Sequence, residues 1–211
     1  MSKHGFLTRF MKYYKKRGFL STFRRIYEQP KRSIFKGQML LLYAELSEVD
    51  DSVLNLPNNI FIEIKRNYDE AVQTDMQTMI NYWRKVVMMD KIKERFEKGA
   101  ILWIIRMNGH VAGYQWSIRG SMAAAYPLPV TPHDAIFFNA ETFEEYRGLG
   151  LYPLLTNFMF AKLKAEGVKR VFAFSYAWNT SIIRGIAKNY FNKFSEARNF
   201  HVFGQNITIW S

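Results

Sequence analysis

The sequence predicts an α/β domain built on a mixed sheet with helices on its faces. The first observation is a hairpin pattern at 101–118, where Asn108-Gly109 separates two apolar runs and favours a type I′ turn. The second is a strand at 135–142 followed by a helix at 151–166 and a strand at 170–176. A helix of this length joins two parallel strands through a right-handed crossover.

Three further segments precede the hairpin. Residues 39–44 form an apolar run and residues 60–64 alternate, so both are predicted strands. From Asp69 to about Glu97 apolar residues recur at helical spacing, which predicts one long helix or two in succession, ended by Gly99.

The segments after the hairpin are predicted as follows. Residues 120–133 contain three prolines and form a loop. Gly167 follows the helix at 151–166 in the position of a C-terminal cap. A helix from 180 to about 190 and a last strand at 202–210 complete the chain.

Composition excludes several kinds of functional site. The chain has 211 residues, enough for one full domain, and contains no cysteine. Disulfides, thiolate metal sites and cysteine nucleophiles are therefore excluded. The four histidines show no ligand spacing, so we expect no metal. No apolar run approaches the roughly 20 residues that span a bilayer, and no secretory signal is recognisable, which favours a cytoplasmic location.

The positive charge is concentrated in residues 1–36, which we interpret as a basic arm ahead of a domain at 37–211. Of the net charge of +12, the arm carries +10, from eleven Lys/Arg against one acid, and the rest carries +2, from nineteen bases against seventeen acids. Two groups of apolar residues at helical spacing predict two short amphipathic helices in the arm. The groups are Phe6, Leu7, Phe10, Met11 and Tyr14, and Phe19, Leu20, Phe23, Ile26 and Tyr27.

The arm is compatible with three interpretations: it packs on its own domain, it binds an anionic membrane surface, or it binds nucleic acid. Membrane binding is favoured over nucleic acid because so many Phe and Leu residues accompany the bases. A cytoplasmic protein with this arm would then lie at the inner face of the membrane. The oligomeric state is left open.

The segment Arg147-Gly148-Leu149-Gly150 joins a predicted strand to a predicted helix. Its two glycines let the backbone turn sharply, and free amides at a helix N-terminus form an anion site. Pro153 fits the first turn of that helix, and Arg147 adds a forked cation suited to phosphate. These features predict a pyrophosphate-binding loop. The dinucleotide fingerprint and the P-loop both fit badly, because position 153 is not glycine and no Gly-Lys-Ser/Thr follows.

The loop resembles motif A of the GNAT acetyltransferase superfamily, Arg/Gln-x-x-Gly-x-Gly/Ala. Arg147, Gly150 and the preceding Tyr146 fit this pattern, whereas Tyr152 stands where the family has Gly or Ala. Asn179 lies 29 residues after Gly150 and resembles the Asn of the family's motif B, and this residue type is also a common helix N-cap.

The resemblance implies a GNAT-like α/β (α+β) fold, in which a mixed, mostly antiparallel sheet has a parallel, splayed central pair of strands and helices on both faces. It also implies acetyl-CoA, or another acyl-CoA, as acyl donor without a metal. It also implies which residues bind that donor. Thr142 and Phe143 would hold the pantetheine arm, and Asn179 would contact it after the next strand. The pyrophosphate would lie at the loop and the start of the helix, formed by Arg147, Gly148, Leu149, Gly150, Leu151 and Tyr152.

The implied reaction is transfer of the acyl group to a small-molecule amine, and similarity to bacterial members linked to surface-polysaccharide pathways implies an amino-sugar acceptor. The family's usual acid, a Tyr, aligns with Ile186 and is missing. Glu141, near the end of its strand, and His133, in the proline-rich loop, are the candidate general bases. Tyr152 and Tyr176 are interpreted as packed aromatics. A non-catalytic acyl-CoA-binding or interaction module is the alternative.

Overall fold

The computed structural model describes residues 38–72, 85–123, 129–186, 188–202 and 205–210, so the predicted arm at 1–36 lies outside the described residues. The strands are β1 (Gln38–Glu45), β2 (Ile60–Lys65), β3 (Ile101–Met107), β4 (His110–Arg119), β5 (Asp134–Thr142), β6 (Arg170–Tyr176), β7 (Asn192–Val202) and β8 (Gln205–Trp210). The α-helices are α1 (Tyr68–Val72), α2 (Lys85–Glu97), α3 (Leu151–Ala165) and α4 (Thr180–Ile186).

All eight strands form one sheet in the order β2-β3-β4-β5-β6-β1-β7-β8. Only the β5–β6 pair is parallel, and every other neighbouring pair is antiparallel. The predicted mixed sheet is therefore confirmed. The first described strand, β1, lies between β6 and β7, although these strands are far from it in sequence.

Helices cover both faces of the sheet, as predicted. Alternate residues of each strand contribute to two hydrophobic cores, one on each face. In β3, Trp103 and Ile105 pack toward α3, while Leu102 and Ile104 pack toward α1 and α2. Because successive strand residues point to opposite faces, the continuous apolar run of β3 is the pattern of a strand buried on both sides. None of the described helices is long and apolar enough to cross a bilayer.

Most predicted elements are confirmed. Asn108 and Gly109 have φ values of 52° and 80°, as a type I′ turn requires. Part of the predicted helix at 69–97 lies outside the described residues, and α4 ends at Ile186, four residues before the predicted end.

β7 was not predicted. Its sequence alternates charged and polar residues with few apolar ones, so it lacks the hydrophobic pattern that identifies a strand. The predicted last strand at 202–210 corresponds to β8 and the end of β7.

The parallel pair is closed at one end and open at the other. Its register runs over four residue pairs, from Asp134 opposite Arg170 to Phe137 opposite Ala173. Beyond that point β5 stays paired with β4 as far as Thr142, and β6 stays paired with β1 as far as Tyr176. The two strands therefore separate, and we call the space between their C-terminal halves the gap.

An ion pair closes the other end. Both Asp134 oxygens accept from Arg170, Nε at 2.7 Å and Nη2 at 2.8 Å. The same carboxylate also accepts from the Thr131 N–H at 2.6 Å. Asp134 is 0% exposed, so this fully bonded carboxylate ties the first residue of β5 to the first residue of β6.

We predict that Asp134→Asn lowers the free energy of unfolding by about 2 kcal/mol at neutral pH, because it removes the charge from a buried, bidentate pair whose arginine remains partly solvated. Chemical denaturation measures this. The control is Asp51→Asn, whose exposed carboxylate lies 3.7 Å from Lys164 and should contribute less than about 1 kcal/mol.

The same substitution should change the response to acid. Burial acts to raise the pKa of Asp134, but hydrogen bonds from Arg170 and Thr131 outweigh it and hold the pKa below its usual value. The pair therefore stabilises the fold above the unfolded-state pKa of about 3.9, and this contribution is lost as pH falls through the lower folded-state value. Equal acid-induced losses in the wild type and Asp134→Asn would contradict this role.

Candidate functional site

The glycine-containing loop lies at the open end of the parallel pair. After Thr142 the chain makes a 3₁₀ turn at Glu144–Tyr146 and reaches α3 through Gly148 and Gly150, whose φ values are 85° and 76°. Nothing lies within 4 Å of a Cβ built on either glycine. The backbone conformation therefore requires glycine here, and the space in front of the loop is open to a ligand.

The N-terminus of α3 presents uncapped amides to that space. Gly150 occupies the N-cap position in a left-handed conformation, and in the part of the chain that the structure describes no side chain caps this helix. α3 has fifteen residues, so its dipole and free N–H groups favour an anion. The loop thus has the geometry of the predicted phosphate site.

Arg147 folds back over the end of β5. Its Nε donates to the Thr142 carbonyl oxygen at 3.1 Å, and its Nη2 donates to Glu141 Oε1 at 3.3 Å. Both charged side chains remain partly exposed, at 43% and 37%. The structure therefore brings the predicted phosphate-binding cation and the predicted base into one ion pair beside the gap.

Thr142 and Phe143 differ in what their backbones can offer. The Phe143 N–H donates to Ala112 of β4 at 2.9 Å, and its carbonyl oxygen accepts from Tyr146. Since N–H groups alternate between the two edges of a strand, the N–H of Thr142 faces the gap. The Phe143 ring is buried in the α2-side core. Thr142 is therefore the residue placed to hydrogen-bond a ligand in the gap.

Asn179 acts as the N-cap of α4. Its Oδ1 accepts from the Ile182 N–H at 3.4 Å, which is the hydrogen bond expected of a helix N-cap. Ile186, at the position of the missing tyrosine acid, packs against the α3-side core. Tyr190 also packs there, and its hydroxyl accepts from the Asp50 N–H at 3.3 Å. Neither residue supplies an acid to the gap.

Tyr152 is packed between α3 and α4. A Cβ at Gly185 would lie 2.6 Å from Tyr152 Cδ1, so the tyrosine ring occupies the space that a larger residue of α4 would need. Burial raises the pKa of Tyr152 to about 12, with an opposing hydrogen bond to Thr156. Thr156 in turn donates to Gln115 Oε1 at 3.1 Å, so a buried polar chain runs from Tyr152 to β4. The large residue in motif A is matched by a small one in α4.

His133 lies at the opposite end of β5 from the loop, whereas Tyr176 lies at the C-terminal end of β6, the other wall of the gap. His133 precedes β5, about nine residues or roughly 30 Å of extended chain from Thr142, and its side chain is exposed. The structure does not bring it together with the loop or with Glu141. Tyr176 ends β6, is 45% exposed and stacks on Trp178 at 5.6 Å. It was expected to be packed, and half of its surface is covered.

Two features near the gap escaped the sequence reading. A bulge in β5 leaves Asn139, with φ of 48°, and Ala140 without partners in the β4 register. Gly113 of β4 allows close approach there, because a Cβ would lie 2.6 Å from the Glu141 carbonyl oxygen. Asn is one of the few residues that tolerate positive φ, so its presence within an apolar run was the sequence signal that could have indicated the bulge.

Comparison with known proteins identifies the fold. No protein-family model matches the chain, and no curated protein matches it by sequence. An acetyltransferase of the GNAT family from Colwellia psychrerythraea superposes with a TM-score of 0.54 at 12% identity, over 74% of this chain and 53% of that one. The fold is that of the GNAT acetyltransferases.

Two further structures superpose on the chain with similar scores, and the first of them is an acetyltransferase. An aminoglycoside acetyltransferase in complex with coenzyme A superposes with a TM-score of 0.51 at 12% identity, over 71% of this chain and 92% of that one. A conserved protein of unknown function from Staphylococcus epidermidis gives 0.50 at 9% identity, over 76% and 59%. The chain thus spans less than two thirds of the Colwellia and Staphylococcus structures. At these identities the likeness confirms the predicted GNAT-like fold.

The Tyr152–Gly185 contact predicts that Gly185→Ala has opposite effects on stability in the presence and absence of the tyrosine ring. Gly185→Ala should lower the free energy of unfolding by about 1–3 kcal/mol, because the new methyl overlaps a buried ring. In a Tyr152→Ala background the same change should raise it by up to about 1 kcal/mol, because alanine is the better helix former. A double-mutant cycle measured by urea denaturation checks both values, and purely additive effects would contradict the contact.

Proposed function

We propose that the protein is an acyl-CoA-dependent N-acyltransferase that transfers an acetyl group from acetyl-CoA to a primary amine. One observation carries the proposal: the gap between β5 and β6 leads directly to an uncapped helix N-terminus behind a glycine loop. A long, thin ligand with a pyrophosphate fits this arrangement. Its phosphates would lie at Gly148–Gly150, and its extended arm would lie along the Thr142 edge of β5.

The GNAT fold supports the same proposal without identifying a substrate. The uncapped N-terminus of α3 behind the glycine turn and the β5 bulge at Asn139 and Ala140 are features of this chain's own geometry. An amino-sugar acceptor remains part of the proposal and rests on the resemblance of the loop and motif B.

The reaction is a direct displacement. The amine nitrogen attacks the thioester carbonyl, a C–N bond forms, and the C–S bond breaks. The amine loses one proton, and the departing CoA thiolate takes up one. The bulge at Asn139 and Ala140 interrupts the β4 register beside the gap, and in this proposal peptide N–H groups there stabilise the negative oxygen of the tetrahedral intermediate.

Glu141 is the proposed base, and Arg147 couples it to donor binding. While Arg147 donates to Glu141, the carboxylate is held by a cation. A pyrophosphate at the loop competes for the same guanidinium and would leave Glu141 available to accept the amine proton. His133 has no part in this proposal because of its distance along β5. No acid is assigned, since oriented proximity to the thioester already lowers the barrier by several kcal/mol.

The proposal is tested by incubating the protein with acetyl-CoA and a panel of amines and following the release of free CoA. Arg147→Ala should raise the KM for acetyl-CoA about tenfold, the loss of one charge-assisted contact. Glu141→Gln should lower kcat by about a hundredfold with little change in that KM.

The matched control is Arg66→Ala, which removes an exposed arginine paired with Glu166 at the far end of α3. Its kinetics should equal those of the wild type. Stabilisation by acetyl-CoA without CoA release on any amine would replace the enzyme with the alternative, a non-catalytic acyl-CoA-binding module.

We also propose that the arm at 1–36 binds an anionic membrane surface, on the strength of its net charge of +10 and its interleaved aromatic residues. The full chain should co-float with vesicles containing phosphatidylserine and not with neutral vesicles, and the binding should weaken as salt rises. Equal binding to both vesicle types would contradict this proposal. Stronger binding to nucleic acid than to the anionic vesicles would favour nucleic acid as the partner of the arm.

A further inference from the structure

A cationic cluster lies on the α2 face of the sheet where the gap begins. Arg95 of α2 places its guanidinium carbon 5.1 Å from the ring centre of Trp116 and 5.5 Å from that of Phe138. These two rings belong to cross-strand partners of β4 and β5 and stack at 6.3 Å. Phe138 is the first residue of β5 beyond the parallel register.

Arg95 forms no salt bridge with a carboxylate of the described residues, and Tyr114 and Glu94 act on its charge only at longer range. With the Asn139 amide oriented to satisfy its hydrogen bonds, its oxygen accepts from Arg95 Nη1 at 3.3 Å and from Nη2. The neighbouring acid on the same helix, Glu94, is paired with Lys98 at 2.5 Å. A guanidinium has five N–H donors, so one amide oxygen leaves it incompletely bonded.

Burial makes this arrangement costly unless an anion is present. Arg95 is half-buried, and burial lowers its pKa. It remains protonated because the guanidinium of arginine keeps its proton at any working pH. A desolvated cation without a carboxylate partner is an unsatisfied group, and an incoming carboxylate or phosphate would satisfy it.

The same cluster contains a second unsatisfied donor. Trp116 is 0% exposed, and its indole Nε1 finds no hydrogen-bond acceptor in the residues that the structure describes. Buried N–H groups are normally bonded, so an orphan beside an unpaired cation is a second indication that an acceptor group belongs here.

The position of the cluster relates it to the proposed chemistry. Trp116 pairs with Phe138 and Tyr114 pairs with Glu141, and cross-strand partners share a face of the sheet. Trp116 and Tyr114 are two residues apart, which corresponds to about 7 Å along the strand. The cluster and the proposed base therefore lie side by side on one face, next to the gap.

We infer that Arg95 binds an anionic group of the acceptor, so that the substrate class is an amine carrying a carboxylate or phosphate. This inference rests on the proposed acyl transfer, because it takes Glu141 to mark the position of the amine. Trp116 and Phe138 support the guanidinium from below, and Asn139 fixes its orientation.

The test compares amines that differ only in the anion: glucosamine against glucosamine phosphorylated on its primary hydroxyl, and ε-aminocaproate against its carboxamide. In at least one of the two pairs, the wild-type protein should acetylate the anionic amine with a kcat/KM at least tenfold above that of its neutral counterpart. Arg95→Met, which keeps the apolar stem on the rings, should abolish this preference and leave kcat/KM for the neutral amines within threefold. Arg95→Lys should retain part of it.

Arg66→Met is the matched control and should leave the preference intact, while thermal unfolding of Arg95→Met verifies that the variant is folded. If neutral and anionic amines are used equally, or if Arg95→Met lowers both alike, the inference is overturned although acyl transfer stands. If no amine leads to release of CoA, the anion site is tested independently of acyl transfer by measuring whether the phosphorylated sugar raises the thermal unfolding temperature. Stabilisation that Arg95→Met removes supports the anion site, and its absence in the wild type refutes it.

Discussion

The architecture of the candidate site depends on the ion pair between Asp134 and Arg170. It joins β5 to β6 at their first residues, where the carboxylate is fully buried and bonded through both oxygens. Sheet strands are normally held by their ladder hydrogen bonds along their whole length. Here the ladder ends after four residue pairs, so the side-chain clamp secures one end while the other stays open.

Separation of two central strands requires that each keep another partner, since unpaired strand edges inside a domain are costly. β4 follows β5 to Thr142, assisted by Gly113 and the bulge at Asn139. β1 follows β6 to Tyr176 and is itself held by β7. The gap is thus stabilised by the sheet itself, because each of its two edge strands is held in an antiparallel ladder, β5 with β4 and β6 with β1.

The loop and its surroundings show how one substitution in a motif is accommodated. Tyr152 replaces a small residue, yet it is absorbed by Gly185 of α4 and by a hydrogen bond to Thr156. The glycines at 148 and 150 stay open toward the gap. The glycine turn and the uncapped N-terminus of α3 are therefore kept, although Tyr152 departs from the motif.

Local pattern by itself determined the hairpin at Asn108-Gly109, the strand–helix–strand unit and the turn through Gly148 and Gly150, because turn chemistry and apolar periodicity act over a few residues. It missed β7, whose few apolar residues hide a strand that pairs through its backbone. Only tertiary structure decided that β1 lies between β6 and β7, that Arg147 holds Glu141, and that Arg95 of α2 meets Trp116 and Asn139. The placement of β1 and the contacts of Arg95 join residues distant in sequence, and the Arg147–Glu141 pair depends on how the loop folds back over β5. No local periodicity encodes which of these residues meet.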